Sequence, residues 1–211
     1  MSIRLPNTLP LLCLSGAILL PHLRLPLNIF EPRYLNMISH ALGKDRMIGM
    51  IQPIKTQETQ KHPPLYKIGC AGKIVTFAES EDGRFLITLS GISRFTLTEE
   101  TISSTFRIGT VDYSSFKNDL LPIDKIDFSR PRLIALLRPY FASYGVDADW
   151  SLIEASDDEE LISSLCLSCP FESSEKQALL EAPSFAERTE TLIALLEMAN
   201  LRRDNGERAK H

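Results

Sequence analysis

The sequence has few cysteines, no excess of basic charge and no long apolar run. Its 211 residues include only four cysteines, too few for a disulfide framework in a chain of this size. We therefore expect a cytoplasmic protein in a reducing environment. The net charge is −4 and lysine and arginine are scattered. That distribution argues against nucleic acid as a partner, because neutralising phosphates drives such binding.

The most apolar stretch lies near the N-terminus and loosely resembles an export signal. It reads LPLLCLSGAILLP and follows Arg4 closely. Pro6, Pro10 and Pro21 interrupt this region, and the apolar run is too short to span a bilayer. A buried β-strand explains it better. No other segment reaches spanning length, so we expect a soluble protein with no membrane partner.

Residue patterns that carry catalysis are also scarce. The stretch Gly69–Lys73 has two residues between its glycines, whereas a phosphate loop has four and a Ser or Thr after the Lys. A strand with glycine where backbones approach closely is the better interpretation. No Gly-x-Ser-x-Gly motif occurs, and a Ser–Lys dyad is left open by composition alone. We predict a chain that is not an enzyme, with no catalytic residue and no cofactor.

Two clusters of potential metal ligands have simpler explanations. Cys166 and Cys169 form a single Cys-x-x-Cys pair near the end of a predicted helix, where zinc would need two more ligands. We predict two small buried side chains there, although a redox or metal enzyme built on this pair is testable by zinc analysis. The acidic run Asp157–Glu160 falls at a helix N-terminus, where the dipole stabilises carboxylates. We predict no metal site.

Residues 9 to about 113 have the period of β-strands. Short apolar runs predict strands at Leu9–Leu14, Leu23–Phe30 and Met47–Ile51. A hairpin between Ile74 and Leu89 has Asp82-Gly83 at its turn, where glycine supplies the positive φ of a tight primed turn. Further along, Phe95 and Leu97 alternate with Arg94, Thr96 and Thr98, and Phe106 and Ile108 alternate with Arg107. Many short strands at this spacing predict a closed or partly closed β structure.

One helix interrupts the strands, and helices replace them from about Ser129. Pro32 suits a first helical turn, after which Tyr34, Met37, Ile38 and Leu42 fall on one face. An apolar stripe that ends at Gly145 predicts a helix that Pro139 kinks or breaks. Possible capping pairs, which predict three further helices, are Ser156 with Glu159, Ser174 with Gln177, and Ser184 with Glu187.

The change of period predicts an α+β protein made of two parts. We expect a β-barrel subdomain over residues 1–116, a helical bundle subdomain over residues 117–205 and a polar tail over residues 206–211. Glu31 and Arg33 flank Pro32 and could pair in a cleft. The preferred role is structural, with one side chain satisfying backbone groups where strand becomes helix. Most aromatic residues are core by periodicity, which leaves one or two for a recognition patch.

A series of segments in a fixed order runs through nearly the whole chain. The segments are Leu9-Pro10-Leu11, Leu19–Pro21, LPLNIFEPRYLNMI, LYKIGCAGKIVTF, DGRFLITLSGISRF, FRIGTVDY, Asp149-Trp150, PFESSEKQALLEA and ERTETLIALLE. In these segments the chain resembles the substrate-binding N-terminal domain of ATP-dependent Lon (La) proteases, in the stand-alone form found in many bacteria. The resemblance implies a PUA-like β pseudo-barrel with one inserted helix, followed by a C-terminal helical bundle.

The resemblance also implies a function. Full Lon proteases carry an ATPase module and a protease module, and we expect this chain to have neither. It is then a non-catalytic module whose partners are unfolded or damaged polypeptides, or a partner protein. The hallmark residues Phe30, Glu31, Arg33 and Tyr34 are the candidate ligand-binding positions. Two alternatives stay open: an RNA-binding PUA-like module, and an adaptor that docks on a separate protease.

One position departs from the family pattern. Lon-like sequences often have glycine after the proline that stands here at position 21, whereas this chain has His22. Histidine tolerates a positive φ less well than glycine does. We therefore expect the local turn to differ.

Overall fold

The computed structural model describes residues 5–54, 62–103, 105–123 and 127–208, with side chains as far as Arg202. The chain divides into two compact units. One unit combines Met1–Pro122 with Phe171–Leu180, and the other combines Ile123–Pro170 with Glu181–His211. The predicted subdomain boundaries after residues 116 and 205 stay predictions. The predicted tail is helical as far as Arg208, and its residues 209–211 lie outside the described part.

The first unit is built on a six-stranded mixed sheet. Its strands are β1 (Thr8–Cys13), β2 (Arg24–Ile29), β3 (Met47–Ile51), β4 (Ile68–Glu79), β5 (Phe85–Ile102) and β6 (Arg107–Asp112). The order is β2-β5-β4-β3-β1-β6, and the long β5 also pairs with β6. That extra pairing closes five strands into a ring and leaves β2 attached to β5. The α+β fold and the pseudo-barrel are therefore confirmed.

One helix, α1 (Pro32–Leu42), is inserted between β2 and β3. Pro32 stands in its first turn, where the missing N–H costs nothing. Tyr34, Met37 and Ile38 are buried as predicted, and Ala41 rather than Leu42 completes the buried face. A 3₁₀ helix over Ser114–Leu120 follows β6.

At some positions in the core of the ring, neighbouring atoms lie too close for any side chain larger than that of glycine. A Cβ on Gly69 would lie 2.5 Å from the ring of Phe95 and 2.7 Å from the carbonyl oxygen of Met50. Gly69 therefore lies in a strand where backbone and side chain meet closely, as predicted, and not in a phosphate loop. Phe95 is fully buried and packs with Leu9, Leu11 and Leu97 in the same cluster.

The hairpin between β4 and β5 has a wider turn than the primed turn that was predicted. Gly83 has the expected positive φ of 77°. Its N–H donates to the Ser80 carbonyl, and the Ser80 N–H donates to the Arg84 carbonyl. The loop thus has three residues with glycine in the left-handed position, the common arrangement of a type I turn followed by a bulge.

A later helix, α5 (Ser173–Glu181), joins the first unit through a buried polar network. The Gln52 side chain is fully buried, and its amide nitrogen donates to the Ser173 carbonyl and to Gln177 Oε1, both at 3.0 Å. The Gln177 amide donates in turn to the Ile68 carbonyl. These bonds pair the buried polar groups of Gln52 and Ile68 with groups of α5. Buried polar groups in native proteins are nearly always paired in this way.

A buried ion pair adds a second connection within this unit. Arg94 and Asp119 have side chains that are 5% and 8% exposed, and Arg94 Nη2 lies 2.7 Å from Asp119 Oδ1. The Arg94 guanidinium also donates to the Leu180 carbonyl of α5 and lies over the ring of Phe116. One side chain of β5 therefore contacts both the 3₁₀ helix and α5.

The second unit contains four helices in the described part: α2 (Arg130–Tyr144), α3 (Trp150–Ala155), α4 (Asp158–Ser168) and α6 (Phe185–Arg208). Helix α2 ends at Gly145, whose φ is 64°. The helix continues through Pro139, so of the predicted kink or break the break does not occur, and the kink stays a prediction. Ser184 accepts from the Glu187 N–H and donates to its carboxylate, which confirms a cap at the start of α6.

Two caps differ from the predicted ones. The cap of α4 is Asp157, whose carboxylate accepts from the Glu160 N–H. Ser156 instead ends α3, where its hydroxyl donates to the Leu152 carbonyl. Asp is as good an N-cap residue as Ser, so the neighbouring Asp157 caps α4 in place of Ser156. The short helix α5 likewise begins at Ser173, one residue before the cap predicted at Ser174.

Candidate functional site

A cleft of about 380 Å³ opens in the first unit beside the N-terminus of α1. Its walls come from the end of β1, the start of α1, the segments that flank β3 and β4, and the β5–β6 connection. The apolar residues of the walls are Leu11, Leu14, Pro53, Pro63, Ile102 and Phe106. The polar ones are Cys13, Ser15, Glu31, Arg33, Tyr34, His62, Thr105 and Arg107.

Glu31 and Arg33 form an ion pair at this cleft. The Arg33 guanidinium donates to Glu31 Oε2 through Nε at 2.9 Å, and its Nη2 lies 2.8 Å from the same oxygen. The Arg33 side chain is 50% exposed and the Glu31 side chain is 40% exposed. The Glu31 carboxylate makes no cap bond to α1. The pair therefore lies at the rim, where both charges are accessible to a ligand.

Tyr34 forms a wall of the cleft rather than a free hydrogen-bonding group. Its hydroxyl donates to the Cys13 carbonyl at 2.7 Å, and its ring lies 4.4 Å below the Arg33 guanidinium. Burial raises the pKa of Tyr34 to about 12, and burial likewise raises the pKa of the Cys13 thiol to about 11. Both groups are neutral at physiological pH, so neither is a nucleophile there.

Arg107 is a buried charge whose hydrogen bonds are made within the protein. Its guanidinium donates to Glu100 Oε2 at 2.9 Å and to the Pro63 carbonyl at 2.7 Å. This burial reverses the predicted alternation, because Phe106 and Ile108 are only half-buried. Gly109 and Val111 are buried and share the inward face with Arg107, which fixes the phase of β6.

The four hallmark positions do not all lie at one site. Glu31, Arg33 and Tyr34 line the cleft, whereas Phe30 is 64% exposed and its ring lies 5.9 Å from the Arg84 guanidinium. A second, shallower concavity of about 420 Å³ lies on β2, β4 and β5, with Pro26 and Leu86 among its residues. The sequence gives no signal that Leu14, Pro63 or Arg107 belong with the hallmark, because they come from distant segments.

The described residues contain neither a cluster of potential metal ligands nor a helix that could span a membrane. They contain no group of three or more His, Cys, Asp or Glu side chains that could hold a metal ion. Cys166 and Cys169 are both fully buried at the end of α4, as the simpler interpretation predicts. Within the same described part of the chain, no helix combines the length and the apolar character needed to cross a bilayer.

Comparison with known proteins gives a consistent family match. The model of the ATP-dependent protease La (LON) substrate-binding domain matches residues 8–198. A Lon protease of Parabacteroides distasonis is 28% identical over 198 residues, which are 90% of this chain and 24% of that protein. The chain thus spans about a quarter of the length of the curated relatives it matches.

Two solved structures share the fold. A Lon N-terminal domain protein from Xanthomonas campestris matches with a TM-score of 0.59 at 19% identity, over 90% of this chain and 98% of that chain. The N-terminal domain of a Mycobacterium avium complex Lon protease matches with a TM-score of 0.58 at 14% identity and the same coverage. At these identities the likeness concerns the fold.

Proposed function

This chain belongs to the family of ATP-dependent protease La (Lon) substrate-binding domains, and we propose that it binds polypeptide segments without catalysing a reaction on them. The partners are unfolded or damaged polypeptides, or an exposed segment of a partner protein, in the cytoplasm. The binding residues are Glu31, Arg33 and Tyr34. The observation that carries this proposal is the position of the family's hallmark segment at the rim of a cleft.

The chemistry of the cleft supports polypeptide binding. Its walls combine apolar and polar side chains and its rim carries an exposed ion pair, a combination that suits both the apolar side chains and the main-chain groups of a protein segment. Cys13 and Tyr34 are neutral at physiological pH because burial raises the pKa of each, which suits a binding role better than nucleophilic catalysis by either group. Nucleic acid is a poorer candidate because the chain is acidic and the rim carries charges of both signs.

A binding titration tests the proposal. Fluorescein-labelled, reduced and carboxymethylated α-lactalbumin is a permanently unfolded probe, and its anisotropy is measured against increasing concentrations of the intact chain. We expect saturable binding that weakens at least fivefold in the double variant Glu31→Ala/Arg33→Ala. Absence of saturable binding at several hundred micromolar protein would refute the proposal.

A matched control separates the cleft from a general effect of charge. Arg84 and Asp82 form another ion pair of this unit, with side chains 50% and 57% exposed, and neither residue lines the cleft. The double variant Asp82→Ala/Arg84→Ala should bind the probe as the unmodified chain does. Equal losses in both double variants would place the binding surface elsewhere. If the chain instead binds a labelled RNA, and added salt abolishes that binding, the result favours the RNA-binding alternative.

A further inference from the structure

We infer that the second unit docks a basic amphipathic helix of a partner protein on α3 and the adjoining end of α2. We call this surface the α3 face. Its apolar residues are Tyr144, Trp150 and Leu152, and its acidic residues are Asp147, Asp149 and Glu154. The α3 face belongs to the second unit, whereas the cleft belongs to the first. The inference therefore goes beyond the proposed function and concerns a different partner.

Helix α3 has an apolar side that the rest of its unit leaves in water. None of its six residues is fully buried, and Leu152 is 65% exposed. A helix of this length is not stable by its own hydrogen bonds, so contacts with other elements must hold it. The ring of Phe141 in α2 lies 6.0 Å from the ring of Trp150, and Arg130 donates to the Ile153 carbonyl. These contacts hold α3 on α2 and leave Leu152 exposed.

The end of α2 adds to the exposed apolar surface. Tyr144 is the last residue of α2 and is 55% exposed, and its ring lies 5.0 Å from that of Tyr140. With Leu152 and the half-buried Trp150, the α3 face draws apolar side chains from two helices. Grouped exposed apolar side chains of this kind mark interaction sites on soluble proteins.

Carboxylates precede and follow the apolar residues of α3 along the chain. Asp147 and Asp149 come before Leu152, Glu154 comes after it, and all three acidic residues are exposed. Residues 139–170 contain seven Asp or Glu and no Lys, Arg or His, so this stretch has a net charge of −7. The whole chain has a net charge of −4, which leaves +3 on all other residues. The negative charge of the chain is therefore concentrated in this stretch.

The charge identifies the kind of partner. An apolar centre with carboxylates on both sides is complementary to an apolar stripe with cations on both sides. A basic amphipathic helix has that arrangement, because its apolar residues recur with the helical period and Lys or Arg residues border them. A net negative charge repels both an anionic bilayer surface and nucleic acid. A symmetric pair of identical copies would bring two acidic faces together.

An arginine of the chain shows how a cation is held on the α3 face. The Arg138 guanidinium lies 4.2 Å from the centre of the Trp150 ring, and its Nη2 is 3.5 Å from Glu154 Oε1. An aromatic ring with a carboxylate beside it favours a guanidinium or ammonium group. Both side chains of this ion pair are more than half exposed, so solvent screens it. A Lys or Arg of the partner can therefore replace Arg138 at little cost.

The position of the tryptophan makes a fluorescence test specific to this surface. Trp150 is the one Trp of the chain, so its emission reports binding at the α3 face rather than at the cleft. The intact chain is titrated with a synthetic 14-residue peptide of Leu and Lys, patterned as an amphipathic helix. We expect a saturable change in Trp150 emission. The same peptide with Glu in place of every Lys should cause no change.

A matched pair of leucine variants tests the apolar part of the α3 face. Leu152 on α3 and Leu201 on α6 are 65% and 62% exposed, so Ser at either position removes little packing. We expect Leu152→Ser to weaken binding of the Leu/Lys peptide at least fivefold. Leu201→Ser should change it less than twofold.

A matched pair of double variants tests the charges. Asp147→Asn/Asp149→Asn removes two carboxylates and keeps the N-cap of α3, because Asn caps a helix as well as Asp does. Glu81→Gln/Asp82→Asn removes two exposed carboxylates from the β4–β5 turn of the first unit. We expect the first double variant to weaken binding of the Leu/Lys peptide at least threefold and the second to leave it unchanged within error.

Several results would overturn the inference. Among them are a Trp150 emission that does not saturate up to several hundred micromolar peptide, an equal response to the Leu/Glu peptide, and equal effects within either matched pair. Sedimentation velocity gives another: a dimer of the chain alone that Leu152→Ser dissociates would show that a second copy covers the α3 face. None of these results bears on binding at the cleft, which the α-lactalbumin titration measures.

Discussion

The Cys13 thiol is held in its protonated form by its surroundings. Burial raises its pKa from an ordinary value of 9.0 to about 11, while the nearby Arg107 acts in the opposite direction with a smaller effect. Because the thiolate is the reactive form, we expect iodoacetamide to label Cys13 far more slowly than free glutathione at pH 8. The rate should rise as the pH approaches 11.

The raised pKa of Cys13 also makes the free energy of unfolding depend on pH. A thiol with a raised pKa in the folded state favours folding fully below pH 9, and this contribution is lost as the pH rises through 11.

Peptide mapping by mass spectrometry after timed labelling measures the rate of Cys13 labelling by iodoacetamide at each pH, and the urea-unfolded chain provides the reference. Labelling of native Cys13 at the glutathione rate at pH 8 would contradict the assignment.

His22 has the left-handed backbone conformation that glycine adopts most easily. Its φ is 66°, in the left-handed region, and its N–H donates to the Gly91 carbonyl at 3.0 Å. The surrounding bonds hold histidine in this strained conformation, and the expected difference from the family's turn stays a prediction. A non-glycine residue in this region costs about 1–2 kcal/mol, and glycine costs about 0.5–1 kcal/mol through its freedom when unfolded.

The substitution His22→Gly should consequently raise the free energy of unfolding by about 1 kcal/mol. Its side chain is exposed, so little packing is lost. Urea unfolding followed by far-ultraviolet circular dichroism measures the change in midpoint. His22→Ala removes the same side chain but keeps the strain, and it should give no gain. Equal stabilisation by both variants would show that the imidazole, rather than the backbone, causes the effect.

At the scale of elements, the Arg94–Asp119 pair joins β5 to the 3₁₀ helix. Both side chains are more than nine-tenths buried, and Asp119 accepts from the Arg94 backbone N–H as well as from its guanidinium. Removing one partner of a buried pair leaves an uncompensated charge, which typically costs about 3–5 kcal/mol. We expect Asp119→Ala to lower the free energy of unfolding by an amount in this range.

The exposed pair of Arg84 and Asp82 provides the comparison for this prediction. Solvent screens that pair, so Asp82→Ala should leave the urea midpoint unchanged within error. Asp119→Ala should move the midpoint strongly to lower urea. If the two substitutions had equally small effects, the buried pair would contribute no more than a surface pair.

Strand positions were predictable from the sequence because apolar alternation and proline boundaries are local. β1, β2 and β3 each lie within one residue of their predicted ends. The inward face of β6 was not predictable from Phe106–Ile108 alone, because the phase depends on Gly109 and Val111 and on the partners of Arg107. Arg94 was assigned to the polar face of β5 for the same reason: its carboxylate partner, Asp119, is 25 residues away.

The candidate site was predictable only in part. The hallmark segment indicated Glu31, Arg33 and Tyr34, which line one cleft, and it also indicated Phe30, which does not. The local sequence does not show which of these four residues reach the cleft. Phe30 precedes α1, and its ring lies beside the Arg84 guanidinium. The remaining wall of the cleft comes from segments as distant as Leu14 and Phe106, and no spacing rule connects them.

At the scale of the whole molecule, the helices that follow the strands do not all belong to the same unit. The chain leaves the first unit after Pro122, returns to it for Phe171–Leu180 and then enters the second unit again. Helix α5 thus supplies bonds to groups of the first unit that precede it by more than 80 residues, among them Gln52 and Arg94. A strand unit without this helix would contain buried polar groups that lack partners.

We therefore predict that a fragment ending at Pro122 folds poorly by itself. The buried Gln52 amide would lose the Ser173 carbonyl and Gln177, and Arg94 would lose the Leu180 carbonyl. Each unsatisfied buried group costs about 1–3 kcal/mol, and together these losses rival the stability of a small domain. Amide NMR dispersion and dye binding measure the folded fraction of residues 1–122 alone.

A synthetic peptide of residues 170–182 makes this prediction specific to α5. Added to the fragment, the peptide should restore NMR dispersion, because it replaces the carbonyl and amide groups that the truncation removes. The same peptide with Gln177→Ala cannot accept from Gln52 or donate to the Ile68 carbonyl, so it should restore folding at several-fold higher concentration only. A fragment that unfolds cooperatively in urea without either peptide, at the midpoint of the intact chain, would show that the strands are self-sufficient and that α5 is an attachment to a unit already complete.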